Sequence, residues 1–418
     1  MNVLVIGNGA REHTLVWKIS QSYRCEKLFA APGNAGTALI AANLDIPSTD
    51  LAAMVRAAKD NEIDLVIIGP EAPLTEGLAD ELSASGIPVF GPSKGASQIE
   101  GSKVFAKELM FKYGIPCANS ATFSSFEKAR NYVKNHPVPL VIKADGLAAG
   151  KGVIIASSQS EAIDALDRVM RKREFGNAGD RVLVEECLTG REASLLAFAD
   201  GESVSPMIPA CDYKRAFDGD KGLNTGGMGC YAPSEFLTDE MRDSIVDTVI
   251  ERAVKAMANE GYPYKGVLYA GLMITENGPK VLEFNARLGD PETQVILPLL
   301  KTDIVEIAEA VINGNLSQVN IEWSDEACAG VVLASEGYPE SYRKGFPISG
   351  LNDLDQDIMV FHAGTSLNQD GRIVTSGGRV ITVAAKGATL IGAREKVYSN
   401  VSRIDFDGCW YRRDIAMI

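Results

Sequence analysis

The stretch Leu282-Glu-Phe-Asn-Ala-Arg-Leu-Gly-Asp-Pro-Glu292 sets an acid and an amide two residues apart in an apolar run. Side chains alternate between the faces of a strand, so Glu283 and Asn285 share one face and Leu282 and Phe284 the other. Two hard oxygen donors on one face suit magnesium, which takes one or two protein oxygens and leaves its other positions to water and nucleotide phosphates. The competing reading is a strand with a solvated polar face. Arg287, Asp290 and Glu292 follow around Gly289, and that much charge in one turn favours the metal-nucleotide site.

Further towards the N-terminus, Leu140-Val-Ile-Lys-Ala-Asp-Gly-Leu-Ala-Ala-Gly-Lys-Gly152 joins a short apolar strand to a second one, Val153 to Ala156. Gly146, Gly150 and Gly152 allow backbone N–H groups to approach an anion, and Lys143 and Lys151 neutralise it. A phosphate-binding hairpin follows from this, with a flexible surface hairpin as the alternative. A Walker A loop is excluded, because that motif opens a helix with G-K-[ST], whereas Gly152 and a strand follow Lys151 here.

The chain has 418 residues, 46% of them hydrophobic and 23% charged, which predicts two to four domains with ordinary cores. No apolar run approaches the roughly 20 residues that span a bilayer. Met1 leads straight into the strand Asn2-Val-Leu-Val-Ile-Gly7 without a basic leader, so a cytoplasmic protein with no membrane partner is expected. A net charge of -14 argues against nucleic acid as a partner but leaves room for a local basic pocket. Seven cysteines without a C-x-x-C pair are expected to be reduced, and three scattered histidines do not make a zinc site.

The first hundred residues alternate strands (Val3 to Ile6, Lys27 to Ala31, Leu65 to Ile68, Val89 to Phe90) with helices (Glu12 to Ser20, Leu51 to Asp60, Gly77 to Ser85). This rhythm predicts a doubly wound parallel sheet with ligand loops at the carboxyl ends of its strands. Gly7-Asn-Gly-Ala-Arg-Glu12, Pro32-Gly33-Asn34 and Gly69-Pro70-Glu71 fall at those ends. A dinucleotide fingerprint fails, because Glu12 takes the third glycine's place and Pro32-Gly33-Asn34 replaces the ribose-binding acid. Either the first loop holds a single phosphate at a helix N-terminus, or it is a glycine turn between strand and helix.

From Gly101 the pattern changes. Ser102 reads as the N-cap of a helix to about Tyr113, with Lys103 in its first turn, where the helix dipole does not favour a cation. The strand Arg181 to Glu186 ends in Cys187-Leu-Thr-Gly-Arg-Glu192. Backbone at 186–188 suits an adenine edge and Glu192 suits ribose hydroxyls, and a solvated turn fits the same residues. The glycine-rich loop Cys211 to Gly229 is either disordered or a lid. Thr238 to Glu260 reads as a helix, and Val267 to Ile274 pairs with Lys280 to Phe284 across Glu276-Asn277-Gly278. The last hundred residues predict strands at Gly330 to Ala334, Ile358 to Phe361 and Arg379 to Ala385 and a helix near Ala388 to Val401, with no dense catalytic cluster.

A phosphate hairpin, an adenine-hinge strand and an E-x-N strand together resemble the ATP-grasp superfamily. Gly7-Asn-Gly-Ala-Arg-Glu-His13, Gly69-Pro-Glu-Ala-Pro-Leu74, Lys143 to Gly152, Asn224-Thr-Gly-Gly-Met-Gly229 and Glu283 to Glu292 occur in the order of its phosphoribosylamine glycine ligase (glycinamide ribonucleotide synthetase) family. Ending at Ile418, the chain resembles that family's monofunctional form. The resemblance implies a multidomain α/β and α+β fold. Its expected parts are an N-terminal α/β substrate domain (1–101), two ATP-grasp lobes (102–190 and 191–324) and a C-terminal α+β domain (325–418).

It also implies the reaction. ATP would phosphorylate glycine, and 5-phosphoribosylamine would attack the acyl phosphate to give glycinamide ribonucleotide, ADP and phosphate in purine biosynthesis. The implied metal is magnesium or manganese on Glu283 and Asn285. ATP would lie on Lys103, Lys143, Gly146, Gly150, Lys151, Gly152, Glu185, Glu186, Leu188 and Glu192. Arg287, Asp212 and Asp290 are the implied catalytic or glycine-binding groups. Gly7, Asn8, Gly9, Glu12, Gly33, Asn34, Glu71, Lys214, Thr225, Gly226, Gly227 and Met228 would bind substrates. A transient contact with the enzyme that supplies the amine is a further expectation. Tyr213, Leu223 and Leu288 depart from the family's common histidine, proline and phenylalanine, which bears on lid closure and glycine contacts. A different ATP-grasp ligase or carboxylase, a nucleotide sensor and a dehydrogenase are the rival readings.

Overall fold

Strands β1 (Asn2–Gly7), β2 (Lys27–Pro32), β3 (Ala42–Asn43), β4 (Leu65–Ile68) and β5 (Val89–Phe90) form a parallel sheet in the order β3-β2-β1-β4-β5. β1 is buried along its whole length, as expected of a parallel strand with helices on both faces of its sheet. Strand order reverses between β2-β1 and β4-β5, so Gly7–Glu12 and Gly69–Glu71 open side by side at the switch point. The computed structural model describes residues 1–147 and 152–417. Gly150 and Lys151, two of the predicted phosphate-loop residues, lie outside the described residues.

Strands β6 (Ser120–Phe123), β7 (Leu140–Ala144), β8 (Val153–Ala156) and β9 (Val182–Glu186) form an antiparallel sheet ordered β6-β9-β7-β8. Its apolar cluster draws its buried residues from Ala129 to Val184 alone, so this lobe has a core of its own. The helix Lys103–Tyr113, capped by Ser102 Oγ accepting from Phe105 N, packs instead with the second lobe through Leu109 and Met110.

The second lobe contains β10 (Arg191–Asp200), β11 (Val204–Pro206), β12 (Cys211–Asp212), β13 (Arg215–Phe217), β14 (Lys221–Asn224), β15 (Gly229–Ala232), β16 (Lys265–Thr275) and β17 (Gly278–Asn285). Its sheet is ordered β11-β10-β16-β17. The glycine-rich loop is neither irregular nor extended throughout: β13 and β14 make a hairpin, and β12 and β15 pair beside it. Strands β18 (Ala327–Ala334), β19 (Ile358–His362), β20 (Thr365–Leu367), β21 (Ile373–Thr375) and β22 (Arg379–Gly387) complete the chain. The last large sheet is ordered β12-β15-β18-β22-β19, so strands from both sides of residue 325 share it. One apolar cluster joins Val5 of the first sheet and Leu15 of the helix that follows β1 to Phe198, Val295, Ile304, Cys328 and Phe361. All seven cysteines are free, and among the described residues no helix is long and apolar enough to cross a membrane.

Candidate active site

β16 and β17 pair antiparallel with one irregularity: Gly271 faces Glu283 and Leu272 faces Val281, so Leu282 is the extra residue of a bulge. A bulge leaves ladder groups unpaired, and the Leu282 carbonyl accepts from Lys143 Nζ at 2.9 Å. The bulge thereby ties the phosphate-hairpin lysine to the E-x-N strand. Beyond it the alternation resumes, Phe284 packing into the core and Glu283 and Asn285 lining a cavity of about 1130 Å³. Burial opposes ionisation of Glu283, but Lys214, Lys143, Lys103 and Arg287 outweigh it and hold the carboxyl below its ordinary value. Asn285 Oδ1 accepts from Arg287 Nη2 at 3.3 Å. Among the described residues no three His, Cys, Asp or Glu side chains group as metal ligands. One carboxylate and one amide oxygen fit a magnesium-type ion completed by phosphate and water, and not a zinc cage.

The lysines above this strand are held in place. Lys103 Nζ donates to Gly146 O at 2.8 Å, and burial pushes the amine below its ordinary value against the pull of Glu283. Glu185 lies between Lys143 at 2.9 Å and Lys107 at 3.1 Å, all three almost without exposure. Its carboxylate thus serves the lysines. Glu186 accepts from Asn119 N at 2.9 Å and pairs with Lys280 at 3.3 Å; it lines the cavity with Leu188, Gly152 and Glu192.

On the opposite wall Glu192 and Lys214 pair at 2.8 Å. Burial, with Glu292, Glu192 and Glu283 adding to it and Lys214 opposing, pushes Asp212 up to about 7. Thr225 Oγ1 donates to Lys214 O and accepts from Gly227 N, both at 2.9 Å. Met228 is buried and does not line the cavity. Gly227 has φ +108, and a side chain there would overlap Pro291; only glycine lets this turn close on the 290–292 segment.

At the switch point, Glu12 accepts from Gly9 N at 2.7 Å and from Arg11 Nε at 2.6 Å, and it fills the space that a side chain at Gly69 would need. Asn34 donates to Asn8 O at 2.9 Å and His362 O at 2.8 Å while its Oδ1 accepts from Gly36 N and Thr37 N. Both side chains are committed to the loops' shape. Gly7, Asn8, Gly9, Glu12, Gly33 and Asn34 do not line the cavity, whereas Arg11 and Glu71 from the same end of the sheet do. Arg287 pairs with Glu100 at 2.7 Å and with Glu71 at 3.4 Å, and its buried Nε lacks a hydrogen-bond acceptor. Asp290 and Glu292 take different partners: Arg379 at 3.1 Å for Asp290, Tyr269 Oη at 2.7 Å and Ser194 Oγ at 3.1 Å for Glu292.

Sequence reasoning missed Arg11, Glu100, Lys107, Tyr338 and Arg379. Arg379 carried a signal, being a charge behind Gly377-Gly378 at the mouth of an apolar strand. Glu100 and Tyr338 carried none. The departures are also placed: Tyr213 lies under Arg412 at 4.9 Å and its Oη accepts from Ala416 N at 3.0 Å, Leu288 is core and gives its carbonyl to Arg11, and Leu223 is exposed on the β13–β14 hairpin.

Family models for the N domain, the ATP-grasp (A) domain and the C domain of phosphoribosylglycinamide synthetase match residues 1–100, 101–293 and 328–418. The phosphoribosylamine-glycine ligase of Caldanaerobacter subterraneus subsp. tengcongensis is 50% identical over 416 residues, covering 100% of this chain and 99% of its own. That of Halalkalibacterium halodurans is 49% identical, covering 100% and 96%. The crystal structure of the Thermotoga maritima phosphoribosylamine-glycine ligase is similar with a TM-score of 0.88 at 35% identity, over 99% of this chain and 100% of that one. Matched from its first sheet through the E-x-N strand to its last helix, the chain belongs to the phosphoribosylglycinamide synthetase family of ATP-grasp ligases.

Proposed function

We propose that the chain joins glycine to 5-phosphoribosylamine with ATP, as a cytoplasmic enzyme of purine biosynthesis. The observation that carries this reading is one cavity in which Glu283 and Asn285, Lys103 and Lys143, and the switch-point wall of Arg11 and Glu71 face one another. Identity near one half over the full length to named ligases supports it.

In the first step a glycine carboxylate oxygen attacks the γ-phosphorus and the bond to the β-phosphate breaks, giving glycyl phosphate and ADP. In the second, the amine of phosphoribosylamine attacks the acyl carbon, loses a proton, and phosphate leaves. Charge is the obstacle, because a carboxylate must approach a triphosphate. Lys103 and Lys143 neutralise phosphate oxygens, and Gly146, Gly150, Lys151 and Gly152 are assigned to the same phosphates from the sequence pattern. A magnesium or manganese ion, held by Glu283 and Asn285, supplies further neutralisation when bound. The backbone at 186–188 meets the adenine and Glu192 the ribose. Arg287 offers its planar fork to the glycine carboxylate or acyl phosphate, and Asp290 or Asp212 takes the ammonium, with Lys214 and the 225–228 turn beside them. The loops 7–12 and 33–34 hold the ribosyl phosphate and Glu71 the ribose hydroxyls. Domains divided at 101, 190 and 324, and a transient contact with the enzyme that makes the labile amine, complete the proposal.

The test is phosphate release from magnesium-ATP while ribose 5-phosphate and ammonia generate the amine. Release that needs both glycine and the amine source is expected; release indifferent to glycine would overturn the assignment of substrates.

A further inference from the structure

Arg379 stands at the start of β22, in the C-terminal sheet, and reaches the cavity from outside both ATP-grasp lobes. Its Nη1 donates to Gly226 O at 2.7 Å and to Asp290 O at 2.9 Å and pairs with Asp290 Oδ1 at 3.1 Å. Tyr338 Oη accepts from Gly226 N at 2.9 Å. Both polar groups of Gly226 are therefore held by C-terminal residues, and a Cβ there would come within 2.9 Å of the Arg379 guanidinium carbon. Gln294 Nε2 donates to Asp290 Oδ1 as well, at 2.8 Å. That oxygen is thus occupied twice. Oδ2 has no protein donor among the described residues and faces the Gly9 loop, 3.3 Å from where a Cβ of Gly9 would be.

We propose that Arg379 is a positioning residue of the amino-acid subsite: it locks Asp290 and the Gly226 peptide together so that Asp290 Oδ2 is presented to the ammonium group of glycine. The inference rests on the assignment of Asp290 to that ammonium. Its physical basis is that one guanidinium nitrogen, Nη1, meets two carbonyls and the carboxylate from a planar group whose N–H directions are fixed, where the ammonium of a lysine acts as a mobile point charge. The C-terminal sheet is on this account part of the glycine pocket, while the ATP lysines 103 and 143 bond other groups, Gly146 O and Leu282 O.

The experiment is steady-state kinetics on Arg379→Met, Arg379→Lys and Tyr338→Phe, with glycine, ATP and the amine source varied in turn and thermal melting as the folding control. Arg379→Met is expected to raise KM for glycine about tenfold or more, the scale of one lost charge-assisted contact, with KM for ATP within about twofold of wild type. Arg379→Lys recovers part of the loss, and Tyr338→Phe moves glycine KM in the same direction by less. An unchanged glycine KM, or a parallel rise for ATP and glycine in a protein that melts normally, overturns the proposal. If Arg379→Met does not fold, Arg379→Lys and Tyr338→Phe decide it by the same criteria. Failure of the underlying reading appears elsewhere, as wild-type phosphate release that ignores glycine.

Discussion

Glu283 is a carboxylate ringed by Lys214, Lys143, Lys103 and Arg287, which keep it ionised against its burial. Converting it to glutamine keeps the shape and removes the charge on which the cation balance of the site depends. Glu283→Gln is expected to lower turnover by about 100-fold or more at saturating magnesium, the scale of about 3 kcal/mol for a lost charge-stabilising contact; near wild-type turnover would remove Glu283 from the site. Glu185 teaches the complementary lesson. Wedged between Lys107 and Lys143 with 3% of its side chain exposed, it holds two buried amines that have carbonyl acceptors but, among the described residues, no other carboxylate in an ion pair. Glu185→Gln should cost about 3 kcal/mol of stability, because breaking a buried pair leaves charge uncompensated, and urea unfolding would read this as a lower midpoint at unchanged slope. At this scale Glu283 and Asn285 were legible because strand alternation assigns faces. Glu185, read as a nucleotide contact, does line the cavity; what the sequence gives no sign of is the two lysines that hold its carboxylate.

Elements were legible where their period was clean. The helix Lys103–Tyr113 and the strands β1, β4, β7, β8 and β9 fall within a residue or two of expectation. The bulge at Leu282 was not legible, since it depends on which residue of β16 each neighbour faces. Nor was the order of the 211–229 loop, whose glycines read as disorder or a lid. What organises that loop lies almost two hundred residues away: Gly219 N donates to Asp414 Oδ2 and Arg413 N to Asp218 Oδ1, both at 2.8 Å, and buried Arg412 bonds Arg215 O, Asp220 and Asp414. The C-terminal segment straps the β13–β14 hairpin down. Arg412→Met should therefore raise amide exchange across 215–224 by about tenfold or more, while β7 and β9 exchange as before. Unaltered exchange in the hairpin would mean that its own pairing suffices.

At the scale of the whole molecule, one apolar core joins parts far apart in sequence. The lobe of β6 to β9 keeps a separate apolar cluster; the first sheet, the second lobe and the C-terminal sheet have clusters of their own and share a further one, and the cavity is lined from all these bodies. A polar seam crosses the shared core: His13 Nδ1 accepts from His362 N at 2.8 Å, His362 Nδ1 lies 3.1 Å from Thr365 Oγ1, and both histidines are nearly inaccessible. A protonated His13 has no lone pair left for that bond. Burial pushes His13 down to about 3, with His362 adding to it, and burial pushes His362 down to about 4. Unfolded histidine titrates near 6.5, so between that value and the depressed ones the unfolded chain binds more protons and stability rises with pH. The stabilising contribution is complete above about 6.5 and drains away as pH falls towards about 4 and then about 3. Wild-type protein should lose unfolding free energy between about pH 7 and about pH 5, and His13→Gln, which retains an acceptor and cannot titrate, should show a shallower loss over that range. Equal slopes in the two proteins would show that His13 does not set the pH dependence of stability, and the seam would then contribute no proton linkage through that ring.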